Sequence, residues 1–591
     1  MPGPPPAPLA RLRVLTALFL LAALLFGAEP ATAATYVPIS GAGSTWSQNA
    51  LDQWRANVKQ YGMTVNYNGT GSSDGRNQFR NGTVDYGVSE IPYGIKDSGV
   101  VDPPPSRKYA YMPIVAGGTS FMYNLTIGNR RVTNLRLSGE VIAKMFTGRI
   151  KLWNDPAIKA DNPALANVLP ARRVVPVVRS DGSGTTAQFS AWMADQYPAL
   201  WDDYCRRAGR GTPCGTTSNF PIVSGLGFVS QAGSNGVSGY VSQGGNVGTI
   251  TYVEYSYAVY TTGFPVAKVL NKSGYYVEPT ARNVAVSLTQ AEIEDDSSSP
   301  KYLTQKLQKV YDYNDPRAYP LSSYSYMIIP TALESNFNAQ KGKTLGAFAY
   351  YFLCEGQQRV DSLGYSPLPI NLVQAGLQQV RRIPGVNVES INIKNCHNPT
   401  FSSDGTNTLA KTAPYPSACD KKGATQCSTG TGGAKAPTDV GGGSTGGGST
   451  GGGSTGGGTG SGGGSTGGGT GGGSGGGSSS TGGGAGAGGA KDSGGSGGAG
   501  AAGGGAGGSA ASGGATIDPD TGQVVGANGA GAGAGGSGDG AGGDAFAVPV
   551  NTSRSISGGS RIALMSVAGV LLLALTVGPP LLTRRLKRGA S

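Results

Sequence analysis

Apolar positions along the first 430 residues repeat with two alternating periods. Thr64-Val65-Asn66-Tyr67, Val84-Asp85-Tyr86-Gly87-Val88, Val174 to Val178 and Ile250-Thr251-Tyr252-Val253 are short runs rich in β-branched and aromatic residues, the mark of strands. Between them, Gln48 to Tyr61 places Leu51, Trp54 and Val58 on one helical face, and Thr186 to Gln196, Leu303 to Tyr311 and Leu345 to Phe352 follow the same period. Strands alternating with helices predict an α/β fold built on mainly parallel sheet.

The pattern changes at both ends. Arg11 and Arg13 precede the apolar run Val14 to Phe26, and Ala31-Thr32-Ala33 supplies a small-residue cleavage site, so residues 1–33 read as a secretory signal peptide. No cysteine lies beside that site to carry a lipid. Ile562 to Leu582 contains no charge and is followed by Arg584, Arg585, Lys587 and Arg588, which predicts a transmembrane helix over 562–582 and a basic cytoplasmic tail over 583–591. A cleaved C-terminal sorting signal is the alternative. Pro579-Pro580 weakens only its last turn.

Composition then divides the rest. With 102 Gly among 591 residues and only 14% charged residues, the chain is no single ordinary globular domain. The excess lies in a Gly/Ser-rich linker over 431–545, whose apolar surface is too small to offset the entropy of ordering. Setting aside the two ends lowers the +12 formal charge to a mild +7, and no basic run interleaves with aromatics, so nucleic acid is not a predicted partner. A single histidine argues against His-based metal sites and most acid–base relays. No metal, cofactor or catalytic residue is expected. Cys205, Cys214, Cys354, Cys396, Cys419 and Cys427 form an even set in an exported chain; of the 15 possible pairings, pairing between sequence neighbours is expected.

Three junctions carry candidate chemistry. Gly41-Ala42-Gly43-Ser44-Thr45, Gly69-Thr70-Gly71-Ser72-Ser73 and Asp181-Gly182-Ser183-Gly184-Thr185 each follow an apolar segment and open a helix. Glycine permits close backbone approach, the first helical turn leaves N–H groups unpaired, and hydroxyls add donors: together, a cradle for an oxyanion. Plain helix capping explains any one such loop. Three of them, with Arg179 two residues before the last, favour an anion. No P-loop is present, which disfavours a nucleotide.

Taken in order, Gly41-Ala42-Gly43-Ser44-Thr45-Trp46, Gly69-Thr70-Gly71-Ser72-Ser73, Val84 to Glu90, Gly148-Arg149-Ile150-Lys151-Leu152-Trp153, Arg179 to Thr185 and Gly248 to Tyr255 resemble the phosphate-binding component of bacterial phosphate ABC importers. The resemblance implies a two-lobed periplasmic-binding-protein (type II) fold with hinge strands over residues 35–385. Lobe one would comprise 35–115 and 320–385, and lobe two 116–319, with a Cys-containing extension over 386–430. It implies phosphate ligands at Thr45, Trp46, Ser72, Glu90, Arg179, Ser183, Gly184 and Thr185, with Asp181 orienting Arg179. It also implies a monomeric receptor on the extracytoplasmic face that delivers inorganic phosphate to membrane-embedded permease subunits. Two positions depart from the family: Trp46 replaces Phe, and Glu90 replaces the Asp that accepts the phosphate proton and rejects sulfate. A one-methylene displacement there bears on ligand choice.

Two alternatives come from other classes. One is a surface-anchored adhesion protein on the same fold that recognises another phosphoryl or oxyanion ligand. The other is a serine hydrolase, since Gly71-Ser72-Ser73-Asp74-Gly75 satisfies G-x-S-x-G, with Ser72 as candidate nucleophile and His397 as the only available imidazole.

Overall fold

The computed structural model describes residues 36–97, 100–334, 336–387, 396, 398 and 406–438, and the backbone of 516–517 and 524–525. The signal segment, His397, nearly all of the Gly-rich run, the 562–582 span and the basic tail lie outside the described residues. Among the described residues no helix is long and apolar enough to cross a membrane.

The elements that carry the site are β1 (Ile39–Gly43), α1 (Gln48–Val58), β2 (Val65–Gly69), α2 (Ser72–Arg80), β3 (Tyr86–Ser89), β4 (Tyr109–Asn124), β5 (Val175–Arg179), α3 (Gly184–Gln196), β6 (Val229–Gln231), α4 (Gly233–Ser242), β7 (Thr249–Glu254), β8 (Val266–Leu270), β9 (Ser322–Pro330), α5 (Ala339–Leu353) and α6 (Ile370–Val380). The main path of one sheet runs β6-β5-β7-β4-β9-β3-β1-β2, with β8 joining β4 from the side. Its two flanks are parallel, β3-β1-β2 on one side and β6-β5-β7 on the other. The centre is antiparallel: β4 pairs with β7, and β9 pairs with both β4 and β3. The mainly parallel sheet expected from the sequence is therefore mixed, because two long strands cross between the halves.

β4 makes this possible. Its residues up to Gly118 pair with β9, and from Thr119 onward they pair with β7. One strand thus belongs to two α/β halves, each a lobe. Lobe one holds β1–β3, α1, α2, α5 and α6; lobe two holds β5–β8, α3 and α4. The apolar helix faces pack onto these flanks: Trp54 of α1 stacks on Phe352 of α5 at 5.1 Å, and Phe189 of α3 meets Tyr252 of β7 at 4.8 Å. α2 approaches β1 so closely that a Cβ on Gly75 would lie 2.3 Å from Gly43 Cα, and only a helix bare at that point packs there.

The segment expected to be helical over Leu303 to Tyr311 is mostly not. Leu303 has a positive φ of 68°, Gln305–Lys306 form a bridge strand, and only Gln308–Tyr311 make one helical turn.

Disulfides join Cys205 to Cys214, Cys354 to Cys396 and Cys419 to Cys427. The second ties the end of α5 to the extension that follows α6. Beyond it, the Thr408–Lys411 turn lies on the Ala281–Ser287 helix, where Arg317 and Arg282 donate to the carbonyls of Ala410 and Thr412. The chain then lies along lobe two. Lys268 binds both carboxylate oxygens of Asp420 at 2.8 Å, Gln426 donates to Asn134 O, Thr431 to Thr133 O, and Lys435 pairs with Glu278 at 3.0 Å. Thr438 still donates to Asn134 Oδ1 at 2.6 Å. The fold therefore runs past residue 431, where composition places the start of the linker. Within the Gly-rich run, Thr516–Ile517 pairs antiparallel with Val524–Val525; these are the β-branched residues that flank a Pro/Asp/Gly turn sequence.

Candidate functional site

Four helices begin at the seam between the lobes. α1 and α2 start from lobe one after Ser44–Ser47 and Thr70–Gly71; α3 and α4 start from lobe two after Asp181–Ser183 and Ala232. Each presents the donor-rich, partially positive end of its backbone to the same region.

Glu90 lies at the end of β3, fully buried. Its Oε1 accepts hydrogen bonds from Ser44 Oγ at 2.6 Å and from Ser325 Oγ, and its Oε2 accepts one from Ser72 Oγ at 2.8 Å. The Ser72 hydroxyl in turn accepts the Gly184 N–H of the other lobe at 3.1 Å. A Cβ on Gly184 would lie 1.9 Å from Glu90 Oε2 and 2.6 Å from Ser72 Oγ, so only glycine lets the two lobes approach this closely here. Gln188 of α3 fixes the Glu90 backbone by donating to its carbonyl at 2.8 Å.

Arg179 ends β5 and is buried beside Asp181, which grips Nε at 2.7 Å and also Nη2. Burial alone would lower the Arg179 pKa, but the Asp181 charge outweighs it and holds the guanidinium above its ordinary value. Burial likewise opposes ionisation of Asp181, and Arg179 overcomes it, leaving that carboxyl below the usual range. Asp181 also accepts the Gly233 N–H at 2.9 Å. Arg179 Nη1 reaches Ser234 Oγ at 3.4 Å, and Ser234 meets Thr45 Oγ1 at 2.9 Å.

The loop carbonyls are turned away. Tyr67 donates to Ser44 O at 2.7 Å, Tyr257 to Thr45 O and Tyr365 to Trp46 O at 2.6 Å. Three buried phenols thus hold three consecutive acceptors that would otherwise repel an anion. This is electrostatic preorganisation for negative charge.

Of the residues the sequence points to, Thr45, Ser72, Glu90, Arg179, Asp181 and Gly184 are brought together through this network. Thr185 Oγ1 is buried with no hydrogen-bond partner, at the first turn of α3. Ser183 caps α3 by accepting the Thr186 N–H at 3.1 Å. The Trp46 backbone N–H donates to Ser44 Oγ at 3.0 Å, while its ring packs edge-on against Tyr365. Ser44, Ser234 and Ser325 were not singled out from the sequence. Gly233-Ser234 is a fourth loop of the same Gly/Ser kind, and Ser44 lies inside the first; nothing local marks Ser325.

The serines of the hydrolase motif are engaged in other contacts. By spacing, the central serine of G-x-S-x-G is Ser73, not Ser72. Ser73 Oγ lies 3.2 Å from Ser218 Oγ and accepts from Arg76, whereas Ser72 donates to a carboxylate. No cluster of three or more metal-ligating side chains occurs among the described residues.

Two α/β lobes on shared crossing strands, with helix N-termini converging on a buried, donor-lined seam, define a two-lobed periplasmic binding protein. The chain belongs to the PBP superfamily, whose domain matches residues 28–355. It is similar to the phosphate-binding protein PstS of Methanocaldococcus jannaschii, at 29% identity over 58% of this chain and 85% of that protein. The phosphate-binding protein PstS of Xylella fastidiosa (strain Temecula1) is 31% identical over 57% of this chain and 83% of its own length. The phosphate-binding protein PstS 2 of Mycobacterium tuberculosis is 30% identical over 56% and 83% respectively.

Proposed function

We propose that this chain is an extracytoplasmic receptor that binds inorganic phosphate between its lobes and delivers it to the membrane-embedded permease subunits of an ABC importer. The observation that carries the reading is the burial of both Arg179 and Glu90 at one seam: a cation and an acceptor-only group, surrounded by helix N-termini and the unpartnered Thr185 hydroxyl. A desolvated anion needs donors and positive potential. A protonated oxyanion additionally needs one acceptor. Monohydrogen phosphate satisfies both requirements, and sulfate fails the second.

In this reading Thr45, Ser72, Ser183 and Thr185 supply hydroxyls, Trp46 and Gly184 supply backbone N–H groups, Arg179 supplies charge and Asp181 orients it. Glu90 takes the ligand proton. Since Asp181 already balances Arg179, affinity rests mainly on hydrogen bonds and helix ends. The chain is a monomeric, non-enzymatic receptor, exported by residues 1–33 and held at the membrane by the 562–582 helix, with its binding domain on the extracytoplasmic face. The names of its PstS relatives support the ligand and the importer partner.

Calorimetry of the folded ectodomain against phosphate, sulfate, pyrophosphate and a phosphonate tests this. Tight binding of phosphate alone is expected. Binding of sulfate as tightly as phosphate, or of none of the four, would overturn it.

A further inference from the structure

Ser325 reaches Glu90 from 235 positions away in the sequence. β9 pairs with β3 in antiparallel register, Met327 opposite Val88 and Tyr326 opposite Ser89. The next pair in that register is Ser325 with Glu90, one step past the end of the ladder. Opposed residues of this kind project to the same face and lie within contact distance. At the same point the register of β9 against β4 slips between Ser325 and Tyr326, passing over Ile114. Such an irregularity re-aims the side chains around it.

We propose that Ser325 is a positioning residue for Glu90 that sets the preference of the site for phosphate over sulfate. This rests on the reading of the site as a phosphate receptor. A carboxylate offers about four lone-pair positions and no proton. Ser44 and Ser325 occupy Oε1 and Ser72 occupies one position on Oε2. The remaining acceptor position lies on Oε2, the oxygen packed closely against Gly184 at the first turn of α3. Ser44 and Ser325 each have a single hydroxyl proton, and both are committed to Oε1. Neither is left over to donate to an unprotonated ligand oxygen, so a ligand oxygen that meets Glu90 must bring its own proton. Without Ser325, Oε1 loses one of its two donors and the carboxylate is free to rotate, presenting either oxygen. The Ser44 proton is then no longer bound to one arrangement and becomes available to sulfate. The Ser325 hydroxyl makes its side-chain hydrogen bond to Glu90.

The test measures phosphate and sulfate affinities of the folded ectodomain at mildly alkaline pH, where phosphate is chiefly the monohydrogen dianion. Ser325→Ala is expected to lower the phosphate-to-sulfate affinity ratio at least about tenfold, the scale of losing one hydrogen bond to a charged group. Ser325→Thr, which keeps the hydroxyl, should restore the ratio. Ser44→Ala removes the other Oε1 donor and should lower the ratio in the same direction, which keeps the question open to measurement if Ser325→Ala does not fold. In a Glu90→Gln background, Ser325→Ala should leave the ratio where Glu90→Gln alone puts it, because the group it positions is gone. An unchanged ratio in Ser325→Ala and Ser44→Ala, or the same loss with and without Glu90, overturns the proposal while leaving the receptor reading intact. A wild type that binds no phosphate overturns both.

Discussion

The backbone N–H of Gly184 donates to the hydroxyl of Ser72 at 3.1 Å, joining the first turn of α3 in lobe two to the first turn of α2 in lobe one. Ser72 passes the link onward by donating to Glu90 at 2.8 Å. One hydroxyl therefore couples lobe closure to the orientation of the acceptor.

Replacing Ser72 by Ala leaves both the Gly184 amide and Glu90 Oε2 without that partner. Phosphate affinity should fall by about 1–3 kcal/mol, roughly 5- to 150-fold, with no ester or phosphoester turnover in either protein. Isothermal titration and a chromogenic phosphoester assay read the two outcomes. Turnover that vanishes in Ser73→Ala, the central serine of the motif, would restore the hydrolase reading.

Arg179→Ala strands Asp181 and removes the only cation in the network. The expected loss is about 2–5 kcal/mol of phosphate binding. Arg179→Lys should recover little of it, since Asp181 engages two N–H groups of a planar guanidinium at once. Unchanged affinity in Arg179→Ala would remove the site from this seam.

Glu90→Gln places an amide where a ligand proton must be received. Phosphate should weaken and sulfate should gain, so competition titrations of the two anions should converge. A phosphate-to-sulfate ratio equal to wild type would mean that Glu90 does not face the ligand.

Glu254, at the end of β7, is fully buried, with Oε1 unpartnered and Oε2 accepting the Ser256 N–H at 2.6 Å. Burial, reinforced by the charge of Glu90, pushes its pKa well above the ordinary carboxylate value, against hydrogen bonds from the Ser256 and Tyr255 amides that lower it. A raised folded-state pKa means the native state binds the proton more tightly than the unfolded chain. Its effect on stability is absent below the unfolded pKa and becomes a loss as pH rises through the window up to the folded value. Glu254→Gln keeps the neutral form throughout. It should be more stable than wild type in neutral solution, with the advantage fading as pH falls into the ordinary carboxylate range. Urea midpoints across that range read the effect; a constant offset would contradict it.

Among the disulfides, Cys354–Cys396 closes the longest loop, with a sequence separation of 42 against 9 and 8 for the others. Loop-closure entropy gives it about 4 kcal/mol, and about 2.5 kcal/mol for each short loop. Paired Cys→Ser variants compared by thermal unfolding should follow that order.

Much of this site was legible because its loops announce themselves. Gly41 to Thr45, Gly69 to Ser73 and Asp181 to Thr185 combine helix-opening residues with glycines that only a close approach explains, and each stands at the seam. Arg179 and Asp181 are neighbours, so their pairing is local. The crossing strands were harder. Tyr109 to Asn124 is buried on both faces, which removes the alternation that marks a half-exposed strand, and Gly117-Gly118 interrupts it where it changes partners. Ser325 was illegible for a related reason: its role comes from strand register, fixed only when β9 meets β3.

The extension gives the molecule a mechanical polarity. Its last described residues are clamped to lobe two through Lys268–Asp420 and Glu278–Lys435, while the loop closed by Cys354–Cys396 fastens its beginning to lobe one. Tension on the chain beyond Thr438 is therefore borne by lobe two as a shear across several polar contacts. It is not transmitted directly to β1–β3.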